Sequence, residues 1–453
     1  IAGLGGLRYA DRAAAVLGRY LTDFSPADLR AMCEAAYARF DPAGVAPLRA
    51  LSGRTWAMEL WHGPTLAFKD VALTLLPGLM AAAGKALGDD RELVILAATS
   101  GDTGKAALEG FMDAPGAQCV VFYPEGGVSE AQRLQMVTQR GGNVAVIAVR
   151  GNFDDAQTGV KRLFADRDLA RQLAGRRRAL SAANSMNFGR LAPQVAYYFS
   201  AYADLAAAGR LRPGEKLNFC VPTGNFGNIL AAVYAGRMGL PIGRLICASN
   251  RNNVLADFIG TGAYDARRPF YLTSSPSMDI LISSNLERLL FELCGRDAAR
   301  LNGYMQSLRD EGRYAVEPDV LCGLQSLMWG GWAGDDAVTG EIARVWQEEH
   351  YLIDPHTAVA SAVLRDYRAA TGDPTPCVVV STASPFKFGR AVARALLPAS
   401  EGDDFTLCRQ LSELTGLPLP AAIAELPSLP IRHTARCDPN DMRRALLRAL
   451  LDR

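Results

Sequence analysis

Residues 62–70 read HGPTLAFKD. A Gly-Pro turn leads into Leu66, Ala67 and Phe68, Lys69 closes the apolar run, and DVALTLL then opens a helix. Two readings fit that placement. One is a solvated lysine at a helix start. The other is an amine held half-dry, because burial disfavours the ammonium form and the neutral amine is the nucleophile that builds a Schiff base.

Two glycine-rich stretches offer anion-binding chemistry. PTGNFGN (222–228) follows an apolar run and opens a helix, so Gly224, Asn225, Phe226, Gly227 and Asn228 present successive amides where the helix dipole attracts a phosphate. Its spacing is neither GxGxxG nor GxxxxGK[ST], which removes the dinucleotide and P-loop readings. A plain strand-to-helix turn stands beside the phosphate nest with equal weight. ATSGDTGKAA (98–107) has the same layout, with hydroxyls from Ser100 and Thr103 that suit a carboxylate or a second phosphate. The alternative there is an ordinary N-capped helix, with Asp102 or Thr103 as the cap.

ANSMNFGR (183–190) clusters Asn184, Ser185, Asn187 and Arg190. Arginine forks onto phosphate oxygens and amides orient them, although alone the stretch reads first as a polar loop. STASPFKF (381–388) puts Thr382 at a strand end and Lys387 between Phe386 and Phe388. A lysine amine, a phosphate nest and a carboxylate loop are together what pyridoxal phosphate chemistry on an amino acid requires, the cofactor serving as electron sink.

The elements that must position these groups follow a repeating grammar of apolar run, glycine-rich turn and helix. ELVILA, CVVFY, VAVIAV, LNFCV and PCVVV are each followed by such a turn and then by helical text. Continuous apolar strands alternating with helices imply parallel sheets covered on both faces, with sites at the carboxyl ends of the strands. SPADLRAMCEAAYARF (25–40) reads as an amphipathic helix with Ser25 as N-cap and Pro26 at its first position. Residues 171–214 break the grammar with a polar loop and an aromatic-rich helix that bridges two lobes. The expected organisation is a helical N-terminal segment over 1–45, a large domain from 46–85 and 200–400, a smaller mobile α/β domain over 86–199, and a C-terminal helical appendage over 401–453.

Composition narrows the classes. The 453 residues carry a net charge of +1, so no global field points to nucleic acid or membrane. Nine cysteines without a CxxC pair, and only four histidines, argue for a reducing compartment, taken as the cytoplasm, and against a disulfide framework or a zinc site. The longest apolar candidate for a membrane span, 71–84, is interrupted by Pro77 and Gly78. No signal peptide is visible, and a start at Ile1 rather than Met places the native N-terminus upstream.

HGPTLAFKD, ATSGDTG, ANSMNFGR, PTGNFGN, SPSMDILISSNLERLLFEL and DPHTAVA, in that order over about residues 10–395, resemble threonine synthase. That family belongs to the pyridoxal-phosphate enzymes of the tryptophan synthase β-subunit fold type. The resemblance implies an α/β, two-lobed fold type II protein, each lobe a mostly parallel sheet covered by helices, in which 46–85 and 200–400 form the cofactor-binding domain. It implies that Lys69 carries the cofactor, Gly224–Asn228 hold its phosphate, Asp102 faces its phenolic oxygen and Thr382 bonds its ring nitrogen. The implied reaction turns O-phospho-L-homoserine and water into L-threonine and phosphate: Lys69 moves an α and then a β proton, phosphate leaves the γ carbon, and water adds at the β carbon. Arg190, Asn187, Asn184, Ser185 and Lys387 become candidates for the substrate phosphate, and Ser100 and Thr103 for the α-carboxylate. A small-molecule substrate, no nucleic acid, no membrane, and a monomer or homodimer are expected.

The chain departs from the family pattern twice. A Tyr-x-Ser-Thr-Arg-type segment lies ahead of this start in relatives, and Gly127 stands where some carry a basic residue near YPEGGVS. Competing readings are another enzyme of the fold type, such as threonine dehydratase or a cysteine synthase, a non-catalytic ligand-binding relative, and a nucleotide-binding α/β protein.

Overall fold

The computed structural model describes residues 2–99 and 101–451. Among them, thirteen strands run in chain order: β1 Leu48–Leu51, β2 Thr55–Glu59, β3 Glu92–Ala98, β4 Ala117–Pro124, β5 Val144–Val149, β6 Arg178–Ala182, β7 Leu217–Pro222, β8 Ile242–Ser249, β9 Ala263–Asp265, β10 Arg313–Ala315, β11 Met328–Trp332, β12 Cys377–Ser381 and β13 Ala435–Cys437. The chain divides into two compact units. The first comprises Ile1–Leu21, Ala43–His62 and Gln194–Leu417, and the second Thr22–Pro42, Gly63–Pro193 and Pro418–Arg453.

The first unit is built on a six-stranded sheet ordered β1-β2-β12-β7-β8-β11. Only the β1–β2 hairpin is antiparallel; β2, β12, β7, β8 and β11 run parallel. β7 and β12 are buried along their whole length, which is why they read as unbroken apolar runs rather than alternating ones. Parallel pairing gathers the segments after β7, β8 and β12 at one edge, so Thr223–Asn228, Asn250 and Thr382 emerge side by side.

The second unit holds a five-stranded sheet, β13-β5-β4-β3-β6, parallel throughout. Val94, Leu96, Phe122 and Ile147 form one side of its core against Leu163, Leu446 and Leu450. Because β3 and β6 pair in parallel, with Leu96 opposite Ala182, the loop that begins at Thr99 and the loop that begins at Ala183 are neighbours at its carboxyl edge.

The structure redraws several expected boundaries. Residues 63–85, expected with 200–400, belong to the second unit. The tail 401–453 is no single appendage: it divides at Leu417, and its last part supplies β13 and the helix Met442–Leu451 to the second unit. The N-terminal segment divides at Leu21. The helix expected in 25–40 is present as Pro26–Tyr37, with Ser25 accepting from the Asp28 amide. Pro77 and Gly78 do not interrupt the apolar stretch, because Pro77 occupies the first turn of helix Leu76–Leu87, where its missing N–H costs nothing. The stretch Lys69–Leu87, mean hydropathy 1.3, is thereby long and apolar enough to cross a membrane by length and composition. Its leading helix, Lys69–Leu73, is wholly buried.

Candidate active site

Lys69 is set by the residue that follows it. Asp70, 1 % exposed, accepts from the Thr65 amide at 2.8 Å and the Thr65 hydroxyl at 2.5 Å. This ties the Gly-Pro turn back onto the helix start and holds Leu66 in the left-handed region, at φ +60. The chain then enters helix Lys69–Leu73 with Lys69 as its first residue, 8 % exposed. Its ammonium stands 4.9 Å from the centroid of the Phe68 ring, a cation–π distance. Dry placement, left open by the sequence, is what the structure shows.

Lys69 Nζ lies 3.4 Å from Asp102 Oδ2. Asp102 opens helix Asp102–Phe111 and is itself buried. An ion pair of this kind offsets the dehydration of both groups only if each keeps its partner. The cap of this helix is neither Asp102 nor Thr103. The Thr99 hydroxyl accepts from the Gly101 and Gly104 amides, both at 2.9 Å, so two amides expected to face an anion are spent internally. Thr103 is half-buried, and Ser100 lies outside the described residues.

The 183–190 loop is more structural than its composition suggests. Asn187 caps helix Phe188–Ala207, its Oδ1 accepting from the Gly189 amide at 2.9 Å while its Nδ2 donates to the Ala182 carbonyl at 3.1 Å. Both of its polar atoms hold backbone, and the second N–H of Nδ2 is left for a ligand. Asn184 Oδ1 accepts from the Met186 amide at 3.3 Å, and Ser185 is half-buried. Arg190 differs. It is 4 % exposed, donates to the Ala183 carbonyl at 2.9 Å, and burial pulls its guanidinium down to about 10. A dry guanidinium gains most from an anion.

In the first unit the glycine loop is braced from its carbonyl side. The Ser283 hydroxyl donates to the Gly224 carbonyl at 2.8 Å, and Asn285 Nδ2 to the Asn225 carbonyl at 3.0 Å. Phe226 takes φ +65, a rare choice for a bulky residue, and turns the chain into helix Gly227–Arg237. A Cβ on Gly224 would stand 3.0 Å from Met278 Cα and 3.2 Å from the Ser277 carbonyl, so the SPSM turn closes on backbone that only glycine leaves room for. That turn is held by His356, whose Nε2 accepts from the Ser277 amide at 3.2 Å while Nδ1 faces Asp354 Oδ2 at 2.6 Å. Asp279 accepts from Thr273 and Asn250, both at 2.7 Å; burial raises its carboxyl. Sequence reading assigned no role to Ser283, Asn285 or His356; their text SPSMDILISSNLERL and DPHTAVA was the available signal.

Thr382 follows β12 and is buried. The preceding Ser381 is fixed from two sides, by Trp61 Nε1 at 3.1 Å and the Thr357 hydroxyl at 3.1 Å. Lys387 is 5 % exposed within the 3₁₀ turn Pro385–Phe388. Four buried polar atoms without hydrogen-bond partners collect around this carboxyl edge: Asn228 Nδ2, Asn285 Oδ1, Ser249 Oγ and Ser384 Oγ. Buried polar atoms are seldom left unpaired. Three of the four, Asn228 Nδ2, Ser249 Oγ and Ser384 Oγ, are donors, and their concentration here, beside a helix N-terminus, fits an anionic, hydrogen-bonding group such as pyridoxal phosphate, whereas Asn285 Oδ1 only accepts.

Fold and site define a class, the pyridoxal-phosphate enzymes: residues 41–311 match the family model "Pyridoxal-phosphate dependent enzyme", and 357–436 match "Threonine synthase, C-terminal". The chain is 41% identical over 401 residues to human threonine synthase-like 1, covering 86% of this chain and 53% of that protein. It thus spans about half the length of those curated relatives. It is 40% identical over 407 residues to the threonine synthase of Pseudomonas aeruginosa, covering 88% of this chain and 84% of that one. The crystal structure of PLP-bound threonine synthase from Brucella melitensis superposes with a TM-score of 0.87 at 36% identity, over 99% of this chain and 89% of that one. The chain belongs to the threonine synthase family.

Proposed function

We propose that this chain converts O-phospho-L-homoserine and water into L-threonine and phosphate with pyridoxal phosphate as cofactor. The observation that carries the proposal is a buried lysine held beside a buried carboxylate, Lys69 against Asp102, in a chain of this family.

When bound, pyridoxal phosphate supplies an electron sink for carbanions. Lys69 is the residue that would hold it covalently. With its amine free, Lys69 Nζ would be the base that takes the α proton and then a β proton. Asp102 orients that amine. Gly224, Asn225, Phe226, Gly227 and Asn228 receive the cofactor phosphate through amides at the start of helix Gly227–Arg237. Thr382 offers a neutral hydroxyl to the ring nitrogen. Arg190 and Lys387, both nearly dry, are the cations proposed for the substrate phosphate, with Asn184 and Ser185 beside Arg190 in sequence. Asn187 caps the helix that carries Arg190 and is proposed to offer its second Nδ2–H to the substrate phosphate. Ser100 and Thr103 are assigned to the α-carboxylate. Phosphate departs from the γ carbon with its bonding electrons, the two protons taken by Lys69 return to the γ carbon and the α carbon, and water gives its hydroxyl to the β carbon and its remaining proton to the departed phosphate.

All nine cysteines are free thiols, eight of them buried, which supports a reducing compartment, the cytoplasm. The test is an assay with O-phospho-L-homoserine, read for threonine and phosphate. Equal release of both is expected. Deamination of added threonine, with no threonine formed from the phosphate ester, would replace this proposal by a dehydratase.

A further inference from the structure

Asn228 is the second residue of helix Gly227–Arg237. Its Oδ1 lies 2.6 Å from the hydroxyl of Tyr197 and 2.6 Å from the hydroxyl of Tyr198. Both tyrosines come from helix Phe188–Ala207 and are fully buried. The Tyr198 ring is fixed edge-on against Phe219 of β7, with centroids 4.9 Å apart. Tyr197 has further neighbours in Gln194 Oε1 at 3.0 Å and the Tyr198 hydroxyl, and Tyr198 has one in the Asn228 carbonyl at 3.1 Å. With one proton each, the hydroxyls spend it on the shorter contact.

The distances identify which corner of the carboxamide faces the tyrosines. O–H···O bonds span about 2.5–3.0 Å and N–H···O bonds about 2.7–3.2 Å. Two contacts at 2.6 Å therefore place oxygen there, and a carboxamide oxygen accepts two donors readily. The opposite corner, Nδ2, is buried and has no partner. Nothing else in the loop needs two tyrosine hydroxyls converging on one oxygen.

We infer that Tyr197 and Tyr198 are positioning residues: they lock the Asn228 carboxamide so that Nδ2–H is the edge presented to the cofactor phosphate. The inference rests on the proposed reading that Gly224–Asn228 takes that phosphate. Without the two hydroxyls the amide is free to rotate by half a turn, and the turned form presents an oxygen, which an anion rejects. The sequence signal is a tyrosine pair at the middle of the helix that starts within ANSMNFGR, invisible as function until the fold brings it under the glycine loop.

The test compares the affinity of the cofactor-stripped full chain for pyridoxal phosphate and for pyridoxal, which lacks the phosphate, by absorbance titration. Tyr197→Phe and Tyr198→Phe are each expected to weaken pyridoxal phosphate about threefold, and the double variant about tenfold or more, the size of one or two lost hydrogen bonds. Pyridoxal affinity stays unchanged in all three. Asn228→Asp, which keeps an oxygen for the tyrosines but removes the N–H donor, should abolish most of the preference for the phosphorylated form. If Asn228→Asp removes the preference while the Phe variants leave it intact, or weaken both ligands alike, the positioning role is wrong and the loop assignment stands. If Asn228→Asp leaves the preference intact, the Asn228 side chain does not reach the phosphate and the inference fails, while the loop assignment, which rests on backbone amides, stands; a wild-type chain with no preference for pyridoxal phosphate over pyridoxal overturns the loop assignment itself. Should the double variant not fold, the single variants decide by the same ratio.

Discussion

Lys69 Nζ and Asp102 Oδ2 stand 3.4 Å apart, each residue the first of its helix and each buried. Helix Lys69–Leu73 follows the turn that Asp70 ties down, and helix Asp102–Phe111 follows β3, so two separate devices fix one pair. Lys69→Ala is expected to leave the circular dichroism spectrum unchanged and to abolish the covalently attached cofactor. Mass spectrometry after borohydride reduction checks this; a trapped adduct elsewhere on the chain would show that another lysine carries the cofactor.

Asp102→Asn keeps the shape of the side chain and removes its charge. Turnover should fall by about a hundredfold or more, within the 10²–10⁴ range of a positioned proton-transfer group, while the cofactor remains attached to Lys69. Steady-state rates with saturating substrate, together with the visible spectrum, separate the two effects. An unchanged turnover number would remove Asp102 from the machinery.

The two helices approach at Gly110. A Cβ there would stand 2.1 Å from the Leu73 carbonyl oxygen, which is backbone and has no rotamer to escape into. Gly110→Ala must push the helices apart, and overpacking of this kind costs about 1–3 kcal/mol or more. A lower melting temperature together with loss of activity is expected, because the displaced helices carry Lys69 and Asp102. A variant with wild-type Tm and rate would contradict the close approach.

Acid sensitivity has an identifiable contributor in the first unit. Burial raises the Glu341 carboxyl, but hydrogen bonds from Arg344 and Ser361 and the charges of Arg344 and Arg365 outweigh it, so its value is lowered overall. A lowered carboxyl stabilises the fold above its unfolded value, about 4.3, and that contribution disappears as pH falls through the folded value. Glu341→Gln should cost about 1–3 kcal/mol at pH 7 and progressively less toward acid, as read by urea unfolding across pH. A penalty independent of pH would show that the charge of Glu341 is not what stabilises helix Asp335–Glu349 against helix Pro355–Thr371.

Several of these relationships were legible in the sequence, and the reason differs by residue. β3, β5, β7 and β12 read directly because strands covered on both faces are apolar throughout. β6 escaped because RALSA is half-buried at every position and begins with the last of three consecutive arginines. β13, three residues long, has too little text to carry a pattern. Lys69 stood out because its neighbours are apolar, whereas Asp70 did not, since its role depends on a turn closing over five residues. For Asn187 side-chain type suggested a ligand contact but could not show its second task, bonding the Gly189 amide and the Ala182 carbonyl. Tyr197, Tyr198 and Asn285 act across thirty to sixty residues of chain, a range at which spacing carries no information without the fold.

The central claim, that this chain exchanges phosphate on the γ carbon for hydroxyl on the β carbon, is tested most directly with O-phospho-L-homoserine in ¹⁸O-labelled water. The account predicts threonine and phosphate in equal amounts, with the label in the threonine hydroxyl and none in the phosphate. Label in the phosphate, with homoserine as the other product, would mean cleavage at phosphorus and would contradict it.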